Sequence, residues 1–101
     1  MNKDLTLNFI ESHWESWFIK GLSDFVRIPN LTPMVDPEYL SNGLLEQAID
    51  CVDSYIRVLE IKGISRQIYK ADSGLPLICY VIEPSSPDII ANVLVYGHLD
   101  K

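Results

Sequence analysis

The sequence feature that most constrains the fold is a nearly continuous run of apolar residues from Ile89 to Tyr96. Pro84 and Pro87 precede the run and Gly97 follows it, so residues that interrupt regular structure bound it on both sides. A short apolar run with such bounds is typical of a β-strand that is buried on both faces. A strand of this kind needs a covering layer on each side, which predicts a layered α/β domain.

Two amphipathic helices are predicted before this strand. From about Thr6 to Val26, apolar residues recur at spacings of three and four, which favours the first helix. The proline-rich segment from Arg27 to Pro37 is predicted to be a loop. The second helix is predicted to run from Asn42 or Gly43 to Lys62, with Gly63 as its C-terminal stop.

Two more strands are predicted between the second helix and the apolar run. The first spans about Ile64 to Lys70, where apolar and polar residues alternate loosely, and the second spans Leu75 to Glu83. A turn at Asp72 to Gly74 joins them. The predicted fold class is therefore α/β, with two helices followed by three strands in one domain over residues 1–101.

Composition excludes several classes of partner. The net charge is -6 and the basic residues are scattered, which argues against nucleic acid binding. No apolar run approaches the roughly 20 residues that cross a bilayer, and the N-terminal segment lacks the apolar core of a signal peptide. We therefore expect a cytoplasmic protein with no membrane partner. Cys51 and Cys79 lie in apolar segments and are expected to be reduced and buried.

Other polar and aromatic side chains have simple structural interpretations. His13 is predicted to be a surface residue of the first helix, and the neighbouring Trp17 and Phe18 are predicted to pack that helix against the sheet. Asp53 and Glu60 are predicted to lie on the solvated polar face of the second helix.

The segment with chemical potential is YGHLD, from Tyr96 to Asp100, directly after the apolar run. Ligands of α/β sheets collect where strands end, because side chains there point into a crevice. A neutral imidazole is a good zinc ligand, and a ligating histidine commonly donates its other ring proton to a carboxylate. His98 is therefore a candidate metal ligand, with Asp100 as the carboxylate that orients it.

This strand and its GHLD segment resemble the strand-GHxD motif of the M20 metallopeptidases. The upstream order is also similar to the family: a helix, a loop with the pair Ile28-Pro29, a helix before a glycine, and two strands. The resemblance implies that residues 1–101 are the N-terminal, incomplete portion of a metallopeptidase catalytic domain. It further implies that His98 binds one of two zinc ions and that Asp100 serves catalysis by orienting His98.

The same resemblance implies a hydrolase. Its reaction is the cleavage of a peptide or amide bond in a small peptide or acylated amino acid, by a water that two metals activate, as in dipeptidases, carboxypeptidases and deacylases. The other ligands and the general base of the family follow the motif, so the 101-residue chain alone is expected to be inactive and to bind zinc weakly. The complete enzyme could be an oligomer.

Two positions depart from the family pattern. The loop reads Ile-Pro-Asn-Leu-Thr where a serine often follows the proline, and Lys101 replaces a common valine. The Lys101 ammonium would oppose metal binding if it pointed at the site, although its long stem could carry it to solvent.

Two other functions are compatible with the sequence. One is a non-catalytic α/β module that binds a protein through its acidic surface or its aromatic helix. The other is a fragment of an esterase-like hydrolase, in which a histidine and a glycine after a buried strand help to form an oxyanion hole. The usual order there is histidine then glycine, the reverse of Gly97-His98.

Overall fold

The protein is a small α/β chain in which two helices precede one pair of antiparallel strands. The computed structural model describes residues 2–101. The first helix consists of an α-helical part, a π-helical part and a second α-helical part. In chain order the elements are α1 (Lys3–His13), the π segment (Trp14–Ile19), α2 (Lys20–Arg27), α3 (Leu44–Arg57), β1 (Ile64–Lys70) and β2 (Pro76–Ile82).

The first helix begins earlier than the predicted Thr6 because a side chain caps its N-terminus. The Asn2 Oδ1 atom accepts hydrogen bonds from the backbone N–H groups of Asp4 at 3.1 Å and Leu5 at 3.2 Å. At the other end, Ile28 is extended, as expected for a residue that precedes a proline. No helix within residues 2–101 is long and apolar enough to span a membrane.

The second helix, α3, is shorter than predicted. It ends at Arg57 rather than Lys62 because its last turn tightens, with hydrogen bonds from Leu59 N–H to the Ile56 carbonyl and from Glu60 N–H to the Arg57 carbonyl. Glu60 then adopts a positive φ of 48°. Gly63 lies in the turn that leads into β1 and does not terminate the helix.

The two strands β1 and β2 form a hairpin in the predicted place. They pair antiparallel from Ile64 opposite Ile82 to Lys70 opposite Pro76. The connection is closed by a hydrogen bond from the Ala71 N–H to the Leu75 carbonyl at 2.9 Å.

The core lies on α3. Leu45, Ala48 and Ile49 are its buried apolar residues. α2 packs on one side of α3, and the Trp17 ring of the π segment contacts Tyr55 edge-on at 6.2 Å between ring centroids. β2 packs against α3 as well. Trp17 of the first helix thus contacts α3, no described residue of that helix contacts β1 or β2, and the prediction that its aromatic residues pack on the sheet is wrong.

The carboxylate of Asp53 ties α3 to the hairpin. It is buried, with 5% of the residue exposed, and it accepts hydrogen bonds from Arg57 at 2.8 Å and Tyr80 at 2.5 Å. The Nε atom of Arg66 also lies 2.8 Å from it. The prediction that Asp53 is solvated is therefore wrong, because guanidinium and hydroxyl donors from α3 and from both strands surround it.

The apolar run from Ile89 to Tyr96 has no regular secondary structure. Most of its large side chains are exposed, including Ile90 at 93% and Leu94 at 94%. Within the described part of the chain the sheet has two strands, and neither pairs with this run. A strand that is buried on both faces needs neighbours and covering layers, so the third strand and the layered domain are not shown.

Candidate metal-ligand site

The segment after the apolar run returns to the loop that follows α2. The Lys101 N–H donates to the Asn30 carbonyl at 3.2 Å, and the Thr32 N–H donates to the Lys101 carbonyl at 2.7 Å. These two bonds flank Leu31 in the manner of parallel strand pairing. The backbone of Lys101 is thus bonded to this loop, whereas the run from Ile89 to Tyr96 is not paired.

The side chains of Tyr96, His98 and Asp100 lie in a row. Residues two apart in an extended chain project from the same side, which brings the three together. The His98 Nδ1 atom lies 3.0 Å from the Asp100 Oδ1 atom, and its Nε2 atom lies 3.0 Å from the Tyr96 hydroxyl oxygen. The predicted pair of His98 and Asp100 is therefore in hydrogen-bond contact.

The charge of Asp100 determines which nitrogen of His98 carries the proton. The hydrogen bond with His98 holds the pKa of Asp100 below its ordinary value; partial burial acts in the opposite direction, and a hydrogen bond from Thr32 lowers the pKa further. An ionised carboxylate can only accept, so Nδ1 is the donor. The Nε2 atom of neutral His98 then carries the lone pair, which accepts a hydrogen bond from the Tyr96 hydroxyl.

This geometry fits one ligand position of a zinc ion. The His98 side chain is 70% exposed, Asp100 fixes the tautomer from the Nδ1 side, and Nε2 carries the lone pair, which here accepts from the Tyr96 hydroxyl. A zinc site requires three or four protein ligands. Among residues 2–101, no group of three or more histidine, cysteine or carboxylate side chains could hold a metal ion. The described residues thus fit a single ligand with its orienting carboxylate.

The remaining candidate donors lie in other parts of the fold. His13 is half-buried in the first helix, where its Nδ1 atom contacts the Phe9 carbonyl at 2.8 Å and its ring stacks on the Phe9 ring at 4.3 Å. The predicted surface residue His13 is therefore only partly exposed and is held by contacts with Phe9. Cys51 and Cys79 are free thiols and only partly buried.

Lys101 does not direct its ammonium at the candidate site. The Nζ atom donates to the carbonyl oxygens of Phe25 at 2.9 Å and Ile28 at 2.5 Å, at the C-terminal end of α2. It also lies 4.2 Å from the centroid of the Phe25 ring. The electrostatic objection raised by this departure from the family pattern is therefore answered by the contacts of the side chain.

Asn30 is the site residue that the sequence analysis missed. It is 1% exposed, and its amide bridges two residues of the returning segment. Its Nδ2 group donates to the Leu99 carbonyl, and its Oδ1 atom accepts from the Lys101 ammonium, both at 2.5 Å. The signal in the sequence is weak, because an asparagine after a proline is also typical of an ordinary turn.

Comparisons with models of protein families, with curated proteins and with solved structures found no match. The M20 resemblance therefore stays a prediction. It rests on the residues from Tyr96 to Asp100 and on the order of elements before them.

Proposed function

We propose that the chain forms the N-terminal part of the catalytic domain of a zinc-dependent M20-type peptidase, in which His98 binds one zinc ion. The observation that carries the proposal is the 3.0 Å contact between the His98 Nδ1 atom and the Asp100 carboxylate. A carboxylate behind a histidine is the usual partner of a metal-ligating imidazole. It keeps the proton on Nδ1 and makes Nε2 the coordinating atom.

The role of Asp100 in this proposal is to orient His98 and to raise its basicity. Asp100 lies between Leu99 and Lys101, whose backbone groups are bonded to Asn30, so the ring is held from behind by a residue that is attached to the loop after α2. The chemistry that a bound pair of zinc ions supplies is activation of a water and polarisation of the scissile carbonyl. The substrate is a small peptide or an acylated amino acid, and the other ligands and the general base belong to a longer form of the protein.

In the same proposal the apolar run from Ile89 to Tyr96 is the third strand of a layered sheet. Its support is the extent of apolar exposure, since Val93, Leu94 and Val95 are 87–94% exposed. Contiguous apolar surface of this kind usually marks a surface that another element covers. His98 would then lie at the carboxyl end of a buried strand, where ligands of α/β sheets bind. We place the enzyme in the cytoplasm.

Zinc binding tests the proposal directly. Isothermal titration calorimetry is done on the 101-residue chain and on a form extended through the downstream reading frame, each as wild type, His98→Ala and His13→Ala. We expect weak binding by the short chain and tight binding by the extended form. Since His98 would be a direct ligand, His98→Ala should lower the affinity of the extended form by at least the ~100-fold that loss of an outer-shell partner can cost.

The variant His13→Ala is the matched control, because His13 lies in the first helix and contacts Ser12 and Phe9 rather than the candidate site. It should bind zinc as the wild type does. If His98→Ala binds zinc as tightly as the wild type in both lengths of the protein, the metal assignment is excluded.

A further inference from the structure

We propose that Asn30 and Lys101 form a positioning clamp that presents the Asp100 carboxylate to His98. This role rests on the proposed function, because it concerns the same histidine and carboxylate. The clamp is defined by the contacts of these two residues with the C-terminal end of α2 and with the backbone on either side of Asp100.

The Lys101 ammonium is bound where the fold provides negative charge. The last carbonyl groups of a helix lack partners within the helix and carry the negative end of its dipole. The Nζ atom donates to two carbonyls at this end, those of Phe25 and Ile28, and the face of the Phe25 ring adds a cation-π contact. The C-terminal end of α2 is thus a favourable binding position for a cationic side chain.

The ammonium has no donor left for the candidate site. A lysine has three N–H donors, and here they meet three acceptors: the carbonyls of Phe25 and Ile28 and the Oδ1 atom of Asn30. A free ammonium next to Asp100 would compete with His98 for the carboxylate. The clamp therefore keeps the Lys101 ammonium away from the Asp100 carboxylate, and it also holds the backbone around Asp100.

Asn30 holds the backbone on both sides of Asp100. Its Nδ2 group binds the carbonyl of Leu99, and its own carbonyl accepts from the N–H of Lys101. These bonds restrict the backbone on both sides of Asp100, and its carboxylate contacts the His98 Nδ1 atom at 3.0 Å. Because the run from Ile89 to Tyr96 is unpaired, these contacts supply the anchorage of the motif.

The test is a spectroscopic signature of the His98 ring in the 101-residue chain. Nitrogen-15 NMR under alkaline conditions, in which imidazoles are neutral, reports the ratio of the Nδ1–H and Nε2–H tautomers. In the wild type we expect the Nδ1–H form to dominate. In Lys101→Met the ratio should shift to that of the same chain unfolded in urea, and exchange of the Thr32 amide hydrogen should accelerate about 10-fold.

Two variants distinguish loss of the clamp from a general loss of positive charge. Lys62→Met removes a cation from an exposed position before β1 and should leave both measurements unchanged. Lys101→Arg keeps a positive donor at the end of α2 and should retain more of the Nδ1–H preference than Lys101→Met. A Lys101→Met chain with wild-type tautomer ratio would overturn the clamp, and so would a Lys101→Arg chain as disturbed as Lys101→Met.

A zinc titration of the extended form separates this inference from the proposed function. If His98 is a ligand, Lys101→Met should weaken zinc binding about 10-fold, as loss of an outer-shell partner does. Zinc affinity that is lost in His98→Ala but unchanged in Lys101→Met would reject the clamp and leave the proposed function standing. A tautomer shift in Lys101→Met together with zinc binding that is independent of His98 would reject the metal assignment alone.

Discussion

Two apolar regions of this protein differ in what surrounds them. Ala48 and Ile49 on α3 are 0% and 4% exposed, because α2 and β2 cover that helix. Val93 and Leu94 in the run before the motif are 90% and 94% exposed. An apolar sequence pattern therefore indicates that a segment gains stability from burial. Whether the segment is buried depends on the elements that cover it.

The candidate site lies where these two regions meet. The exposed run leads directly into His98, and Lys101 then binds the end of α2, whose helix packs on α3. The motif is thus attached to the packed region on one side and to an uncovered segment on the other. Truncation of a side chain in the packed region should therefore lower the free energy of unfolding, whereas truncation in the exposed run should change it little.

The largest effect is expected in the packed region, from Ile49→Ala. Removing three methyl or methylene groups from a side chain that is 4% exposed leaves a cavity against α3. We expect the free energy of unfolding to fall by about 3 kcal/mol, within the usual range for truncation of a buried isoleucine. Urea unfolding followed by circular dichroism measures the change.

The matched variant in the exposed run is Leu94→Ala. Because Leu94 is 94% exposed, its truncation should change the free energy of unfolding of the 101-residue chain by less than about 0.5 kcal/mol. A loss of unfolding free energy in Leu94→Ala as large as that in Ile49→Ala would contradict the difference between the two regions. It would mean that the run is packed in solution.

A smaller effect is expected from Asp53→Asn, which alters the link between α3 and the hairpin. Burial alone would raise the pKa of Asp53, but the Tyr80 hydroxyl and the guanidinium groups of Arg57 and Arg66 outweigh it and hold the pKa below its ordinary value. Both arginines are partly exposed, so the amide should lower the free energy of unfolding by about 2 kcal/mol at neutral pH.

The pH dependence identifies the carboxylate as the cause. Since the pKa of Asp53 is lower in the folded state than the ordinary value of about 3.9, its contribution is fully present above that pH and is lost as pH falls through the folded-state pKa. The difference in free energy of unfolding between the wild type and Asp53→Asn should therefore become smaller at acidic pH. Asp50→Asn, at an exposed position of the same helix, is the control and should unfold with the wild-type free energy at neutral pH.

The local features were predictable from the sequence, and the distant contacts were not. Apolar periodicity predicts both helices, and the alternation around Ile68 predicts the hairpin, because these patterns report which face of one element is buried. Their ends depend on single contacts, such as the Asn2 cap. The pairing of His98 with Asp100 follows from a spacing of two in an extended chain.

The contacts that could not be predicted join residues far apart in the chain. Asp53 and Tyr80 are 27 residues apart in the chain, and Asn30 contacts Lys101 only because the chain returns to the loop after α2. No periodicity connects such pairs. The third strand belongs to the same class, because the pattern of Ile89 to Tyr96 does not contain the elements that would cover it.

A smaller effect than that of Asp53→Asn is expected at Tyr96, at the boundary between the exposed run and the site. Its hydroxyl lies 3.0 Å from the His98 Nε2 atom, the atom that would coordinate zinc, so the hydrogen bond competes with the metal. An exposed hydrogen bond contributes about 0.5–1 kcal/mol, and Tyr96→Phe should therefore raise the zinc affinity of the 101-residue chain about 2- to 5-fold. Zinc titration followed by the NMR signals of the His98 ring measures it, with Tyr69→Phe in β1 as the control. A lower affinity in Tyr96→Phe would show instead that the hydroxyl helps to hold the ring in its coordinating orientation.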